Sequence, residues 1–518
     1  MQPACIRHTD LPGTSRLFGD FVYHFDKVAR FYHHDPHDPE SFAIAAKQVD
    51  YPEDRRRAMV AALRAQNGDS ESLRKLAQPG TVAVVTGQQV GLFSGPAYTI
   101  YKAMTAARMA RQLSERGIPA VPVFWLATED HDFAEVNHAW TFGAAGEPVA
   151  VRLGPGESAT KQQPVGGIAM ANPPLHELRK SLGGLPFADE VMAAVEQTYR
   201  PGATMGQGFR ALMKNVLAKL DLIYLDPLDP AVRKVGAPFL AKALTAVPEL
   251  KAGFMERNRE LNAAGYHAQV HIDGKTSLFF LLENGARLAL RLKDSEYAAL
   301  ADRAEQVSPN ALLRPVWQDY LLPTVAYVGG PGELAYLAQS EVAYRRLLGR
   351  MPVAMARSGY TLLDARSQKL LNRYGLTVTQ VMTNPTALQE RIARTLVPES
   401  VTKSLEAATA EITRHLDHVQ GSLESFDPTL ANAAGKSRAK VLYQLEKLGK
   451  KTARETMRRD ARAVGDAGHL AAMLYPHRHP QERFYSILPF LAQHGMDLIG
   501  RIYETVEPMC PDHRVYTV

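Results

Sequence analysis

Apolar runs along the first two thirds of the chain stop at polar or glycine-rich strings. The run 82-VAVV-85 is followed by 86-TGQQVGLFSGPAYTIYKA-103, and 121-VPVFWLA-127 by 128-TEDHD-132. Runs this short and this apolar predict buried strands. Between them Pro96 starts a helix whose apolar side is Ile100, Met104, Ala107 and Leu113, with Gly117 as its C-terminal cap. Strand, helix and strand form a βαβ unit, so the sheet is parallel and covered on both faces. Further strands are predicted at 222-LIYLDP-227, after the helical stretch 208-GFRALMKNVLAKL-220, and at 322-LPTVAYVGG-330. Ligands of such sheets gather at the carboxyl ends of the strands, which is where TGQQ, TEDHD and GGPGE fall.

Two stretches break this rhythm. Residues 143–168 are rich in Gly and Pro, and 268–292 resemble a hairpin turned at Asn284-Gly285. From about residue 385 the period changes: Val401, Leu405, Ala408, Ile412, Leu416, Val419 and Leu423 alternate spacings of four and three. After 426-FDP-428, Val441, Leu445 and Leu448 resume it. The pattern predicts an antiparallel helical hairpin or coiled coil. The expected organisation is an α/β core over 1–384 with insertions near 143–205 and 250–310, a coiled coil over 385–465, and a segment 466–518 packed on either.

Composition narrows the function. A chain of 518 residues with 46% hydrophobic side chains buries a large core. Its net charge of +6 is scattered, and the basic run 446-EKLGKKTARETMRRDAR-462 is most simply the solvated face of the coiled coil, so nucleic acid is not called for. No apolar window is long enough for a signal peptide or a membrane span, which predicts a cytoplasmic protein. The two cysteines, Cys5 and Cys510, stand near opposite ends, so spacing suggests neither a disulfide framework nor a catalytic thiol.

Each polar string has a functional and a plain structural reading. Gly87, Gly91 and Gly95 suit an anion or nucleotide cradle in front of a helix N-terminus, or simply a turn; the string lacks the GK[ST] of a phosphate-binding loop. Residues Glu129, Asp130, His131, Asp132, Glu135, Asn137 and His138 form a cluster able to act as base, hold an amine or ligate a metal, or else a surface loop with a cap. No clean metal-ligand spacing is present, and the metal question stays open. Gly329, Gly330 and Gly332 permit a tight turn, with Glu333 in the first turn of a helix. In 475-YPHRHPQERFYS-486, arginine and histidine suit a phosphate and Tyr485 a stacked base, or the segment is a helix start at Pro480.

Taken in order, TGQQ-x-GLF-x-GP-x-YTI-x-KA, PVFW-x-ATEDHD-x-x-EVNH, LLPT-x-AY-x-GGPGE-x-AY and QERFYS resemble the BshC cysteine ligases of bacillithiol biosynthesis, over essentially the whole chain. The resemblance implies a Rossmann-like core related to class I synthetases and nucleotidyltransferases, with connecting-peptide insertions and a coiled coil that forms a homodimer. It implies addition of L-cysteine to glucosaminyl malate through an amide bond. The carboxylate would be activated by ATP or another nucleotide. On this basis His131, Asp132 and Gln88 are expected to be catalytic. Thr86, Gly87, Gln89, Gly91, Gly95, Asn137, His138, Gly329, Gly330, Gly332 and Glu333 are expected to bind substrate. The family's ADP site makes His477, Gln481, Arg483 and Tyr485 nucleotide candidates. Neither a His-x-Gly-His nor a KMSKS string is present, which separates the chain from ordinary class I synthetases. The competing expectations are a nucleotidyltransferase acting on another small molecule and a non-catalytic ligand-binding dimer.

Overall fold

A computed structural model describes residues 4–154 and 162–518. The chain divides into two compact units, Met1–Leu362 with Gln481–Val518, and Leu363–Pro480.

In the first unit five strands make a wholly parallel sheet: β1 (Val82–Gln89), β2 (Ala120–Ala127), β3 (Ile223–Leu225), β4 (Thr324–Gly329) and β5 (Val353–Ala356), in the spatial order β5-β4-β1-β2-β3. The first four coincide with the predicted runs. The fifth, 353-VAMA-356, is too short for periodicity to distinguish from a turn of helix. Alternate side chains face opposite cores. Ala83, Val85, Val123, Trp125 and Tyr327 pack on one side, and Val82, Val84, Val325 and Val328 on the other. Burial of both faces explains why the strands are apolar at every position, not at every second one.

Helix α1 (Tyr98–Glu115) crosses from β1 to β2 with Ile100, Met104, Ala107 and Leu113 buried. Ile100, Met104 and Leu113 each contribute roughly 1.5–3 kcal/mol by leaving water. Gly117, at φ +84°, ends the crossover. Helix α2 (Pro331–Ala343) follows β4 and is buried along most of its length.

The excursions are small antiparallel sheets. His138–Phe142 pairs with Pro148–Arg152, and residues 155–161 of the predicted Gly/Pro-rich stretch lie outside the described residues. Phe279–Glu283 pairs with Ala286–Ala289 across Asn284 and Gly285, at φ 51° and 76°, and Val307–Pro309 adds a third strand. Positive φ at both turn positions is what a two-residue hairpin with native twist requires. Near the chain ends, Ala4–Ile6 pairs with His513–Thr517 and sets Cys5 opposite Arg514; both cysteines are free thiols.

The second unit is helical. Helices α3 (Glu399–Glu424) and α4 (Pro428–Arg459) are joined by three residues, with Asp427 capping α4 through Thr429 N–H. The hairpin is antiparallel, as Arg438 Nε meets Asp417 Oδ1 at 2.6 Å across it. The unit begins well before residue 385, because the helix Ala365–Tyr374 packs on Ala461–Leu474 through Tyr374 OH and Asp466 Oδ2 at 2.8 Å. Its far boundary falls at Pro480, so the predicted terminal segment 466–518 is divided between the units. Among the described residues no helix is long and apolar enough to cross a membrane.

Candidate active site

The string TGQQ is strand, not loop. Strand β2 extends the parallel ladder to Gln89, which pairs with Ala127, while pairing with β4 reaches Thr86, whose hydroxyl donates to the Val328 carbonyl at 2.8 Å. Gly87 is a steric necessity: a Cβ there would lie 2.9 Å from the Trp125 Cβ and carbonyl oxygen. The turn comes later, where Phe93, Ser94 and Gly95 all have positive φ and a Cβ on Gly91 would meet Gly95 Cα at 2.9 Å. The start of α1 is tied to protein groups, with Ala97 N–H donating to the Tyr485 carbonyl at 2.7 Å and Thr99 N–H to that of Pro96 at 2.9 Å. Gly91 and Gly95 therefore build the turn, the plainer of the two readings their spacing allows.

What the strand end does build is one wall of a cavity of about 640 Å³, lined by Gly87, Gln88 and Gln89 from β1 and by Gly330, Gly332 and Glu333 from the β4–α2 connection. Lys102, on the second turn of α1, fastens these walls together. Its ammonium donates to the Gly87 carbonyl, to Gln88 Oε1 at 3.1 Å and to Glu333 Oε2 at 2.6 Å. Glu333 also accepts from Tyr327 OH at 2.6 Å and Gly330 N–H at 2.8 Å. Burial pushes the Lys102 pKa down against the pull of Glu333. Burial also pushes Glu333 up, but Lys102, Gly330 N–H and the Tyr327 hydroxyl together hold it below the usual carboxylate range. A buried ammonium must have partners of this kind to remain charged. The Gln88 amide is fixed at its other end by donating to Tyr98 OH at 3.1 Å.

The opposite wall follows β2. Glu129 is buried and paired with Arg233 at 2.5 Å, which anchors the loop. Asp130 and Glu135 both accept from Gln89 Nε2, at 2.6 and 2.9 Å, so two carboxylates converge on one amide at the rim. Asp132 instead caps the short helix Phe133–Val136 through Glu135 N–H at 3.1 Å and is exposed. His131 stands behind the lining, its Nδ1 3.2 Å from Arg287, which lines the cavity and stacks on Phe280. Guanidinium only donates, so this contact makes Nδ1 the acceptor and puts the ring proton on Nε2. His138 and Asn137 bond to each other at 3.3 Å and do not reach the cavity, nor does the strand residue Gly329. Among the described residues no group of three or more His, Cys, Asp or Glu is placed to hold a metal.

The C-terminal candidates separate. His477 belongs to the helical unit, and Gln481, Arg483 and Tyr485 to the other. Gln481 is buried with its amide bonded to both backbone groups of Leu362, and Tyr485 is wholly buried against Phe142. Arg483 alone among them lines the cavity, 5.8 Å from the Tyr98 ring centre, with Arg357 at 5.3 Å from the same ring. Arg357 is held by a two-pronged pair with buried Glu482, at 2.9 and 2.5 Å. Burial pushes the Glu482 pKa up, yet Arg357 and His513 outweigh it and bring the carboxyl down to about 2.

With this architecture in view, the comparisons are specific. A family profile for the N-terminal Rossmann-like domain of "Bacillithiol biosynthesis BshC" matches residues 1–358, and one for the family's C-terminal coiled-coil domain matches residues 360–518. The chain belongs to the BshC family. Relatives named "Putative cysteine ligase BshC" include one from Solibacter usitatus, 54% identical with all of both chains covered. One from Koribacter versatilis is 33% identical, again over all of both chains, and one from Symbiobacterium thermophilum is 32% identical over 93% of each. The Rossmann-like core and the coiled coil inferred from sequence are thus those of BshC.

Several lining residues of this BshC chain escaped the sequence reading: Tyr98, Arg287, Arg314, Arg357, and the bracing Lys102. Lys102 carried a legible signal, being a lone lysine on the apolar side of an amphipathic helix, four residues after Tyr98. Arg287 sits beyond a hairpin turn and Arg357 after a strand too short to detect, so neither had a neighbouring motif to mark it.

Proposed function

We propose that this protein joins L-cysteine to glucosaminyl malate, forming an amide between the cysteine carboxyl and the sugar amine. The observation that supports this reading is one cavity faced by carboxylates (Asp130, Glu135, Glu333) and guanidiniums (Arg287, Arg314, Arg483) at the carboxyl edge of the BshC sheet. The ligands proposed for it carry both charges: cysteine is zwitterionic, and the cosubstrate joins an ammonium to a dicarboxylate. Charge-assisted hydrogen bonds of both polarities orient such molecules head to tail.

The sugar ammonium must lose a proton before it attacks. Asp130 and Glu135 converge on the Gln89 amide, and an ammonium displacing that amide contact would be held by both and could pass a proton to either. Gln88, clamped between Tyr98 and Lys102, offers its amide to the acyl oxygen. His131 serves by steadying Arg287. A nucleotide, when bound, would turn the cysteine carboxylate into an acyl phosphate or adenylate, and Arg483 is the cavity residue best suited to its phosphates or to the malyl carboxylates. The helical hairpin leaves Val419, Val441, Tyr443 and Leu448 between 38% and 56% exposed on its own, which supports a homodimer built through it.

The test is to incubate purified protein with glucosaminyl malate, L-cysteine and ATP, following bacillithiol by mass spectrometry together with AMP and ADP. Product that requires all three, with one nucleotide product per thiol formed, is expected. Absence of product with any nucleotide, beside an active control enzyme, overturns the reading. Light scattering on the same sample gives the mass of the assembly, and a monomer would refute the dimer.

A further inference from the structure

The two cysteines of the chain, nearly its whole length apart in sequence, meet in the fold. Cys5 lies on the strand Ala4–Ile6, directly across from Arg514 of the strand His513–Thr517, and both strands belong to the same compact unit. Cys510 comes to the same place by a turn, its N–H donating to the Glu507 carbonyl at 3.0 Å. Arg514 closes that turn from the strand, donating to Glu507 Oε2 at 2.8 Å and to the Thr505 carbonyl. A second tie fixes the two ends against each other: His8 N–H donates to Tyr23 OH at 2.7 Å, and that hydroxyl donates to Asp512 Oδ1 at 2.7 Å. On this backbone the thiols of Cys5 and Cys510 are hydrogen-bonding neighbours, and the Arg514 guanidinium bonds Cys510 as well.

Neither thiol is sealed from solvent. Cys5 is exposed, Cys510 is half-buried, and both are free. Cysteines that serve only packing are buried in apolar surroundings and inert, whereas reactive ones stand partly exposed beside a cation. Here Arg514 is that cation. Partial burial and the neighbouring Cys510 push the Cys5 thiol up, so the two sulfurs are not equivalent. Cys510, next to the guanidinium, is the one placed to attack, and Cys5 the one placed to resolve. Neither cysteine lines the cavity, so the pair stands outside the ligation chemistry.

We propose that Cys5 and Cys510 form a reversible disulfide, made by exchange with a low-molecular-weight disulfide RSSR, that fastens the two end strands to each other. The Cys510 thiolate attacks one sulfur of RSSR; that S–S bond breaks, the departing thiolate takes up the proton Cys510 gave, and a mixed disulfide remains on Cys510. The Cys5 thiolate then attacks the Cys510 sulfur, the second thiolate leaves with the proton of Cys5, and the Cys5–Cys510 bond forms. Two protein thiols are oxidised and one RSSR is reduced to two RSH. The pair does not depend on the ligase reading; the source of its oxidant does, because a protein that makes a small thiol works beside the disulfide of that thiol, and the cross-link then registers oxidation of the pool. The strand Ala4–Ile6 is three residues long and stands at the edge of its sheet. A covalent tie from it to Cys510 encloses nearly the whole chain in one loop, the case in which a cross-link restricts the unfolded chain most.

The full-length protein, reduced and then freed of reductant, would be incubated with cystine and separately with bacillithiol disulfide, and followed by intact-mass spectrometry. The wild type should lose the mass of two hydrogen atoms, keep no adduct and recover with dithiothreitol, and tryptic digestion of the oxidised form should yield residues 1–7 joined to 502–514. Its urea midpoint should rise on oxidation and fall back on reduction. C5S should instead retain one adduct, on Cys510, because the sulfur that displaces it is gone, and C510S should take up its adduct more slowly than C5S. A wild type that stays unchanged, carries stable adducts or doubles in mass through an intermolecular disulfide overturns the pair, and an unchanged urea midpoint overturns the fastening. Adduct formation on C510S as fast as on C5S, or faster, overturns the assigned order of attack. A cross-link formed with cystine in an enzyme that makes no bacillithiol would uphold the pair while the ligase reading fell.

Discussion

The edge of the parallel sheet and the helical hairpin treat their charged residues in opposite ways. At the edge of the parallel sheet, Lys102, Glu333, Arg357 and Glu482 are withdrawn from water and bonded to one another and to the backbone. On the helical hairpin, charges stand in solvent and pair locally along one helix, as Lys403 with Glu399 and Lys450 with Glu446, or across it, as Arg438 with Asp417. The first arrangement fixes geometry, because a buried charge has no alternative partner if its own moves. The second allows motion, because water replaces any contact that is lost. A site that must align two substrates needs the first, and a helical scaffold is served by the second.

Four substitutions test the contrast, in order of expected effect. Lys102→Met leaves Glu333 and the Gln88 amide without their common clamp. Ligase activity is expected to fall at least about a hundredfold, as for a misplacement of order 1 Å, and stability by about 3–5 kcal/mol in urea unfolding, as for a broken buried pair. Retention of both would show that the wall does not depend on the lysine.

Glu482→Gln should come next. Because the folded carboxyl is held at about 2, against 4.5 for the ordinary group, its contribution is fully present above pH 4.5 and is lost as the pH falls toward 2. The wild type should therefore lose about 3 kcal/mol more than the variant across that window. Parallel acid-unfolding curves would show that the Arg357 pair has no such weight.

Arg483→Ala removes an exposed lining cation and should raise KM for an anionic substrate about tenfold while leaving the melting temperature unchanged. A change in kcat alone would move Arg483 from binding to chemistry. Asp417→Ala, at a solvent-facing pair of the hairpin, is expected to alter stability by less than about 1 kcal/mol and only at low salt. A larger change would place the hairpin pair on the same footing as the buried ones and erase the distinction.

How far the sequence carried this picture varies from element to element. The runs ending at Val85, Ala127 and Gly330 were legible because a strand covered on both faces must be apolar throughout, whatever surrounds it. The Asn284-Gly285 turn and the heptad spacing from Val401 were legible for the same reason: a local backbone or a helical period imposes its own residue pattern. The glycines of TGQQVGLFSG were noticed, but their two readings could not be separated without the fold, since Gly87 answers to Trp125 on the neighbouring strand and Gly91 to Gly95 across a turn. His131 and Asp132 stood out as chemistry-bearing residues, and the fold adds their partners: His131 bonds Arg287, and Asp132 caps a helix.

By itself, then, the chain determined its strand and helix periods, its parallel sheet, its coiled coil and the edge at which a site would form. These depend on contacts between residues near one another in sequence, or on burial that affects every residue of a run alike. Tertiary structure alone decided which charges share the cavity. Lys102 meets Glu333 across 231 positions and Arg357 meets Glu482 across 125. No local pattern records such distances, because the energy of a buried ion pair depends on the partner's position in space and on the exclusion of water around it.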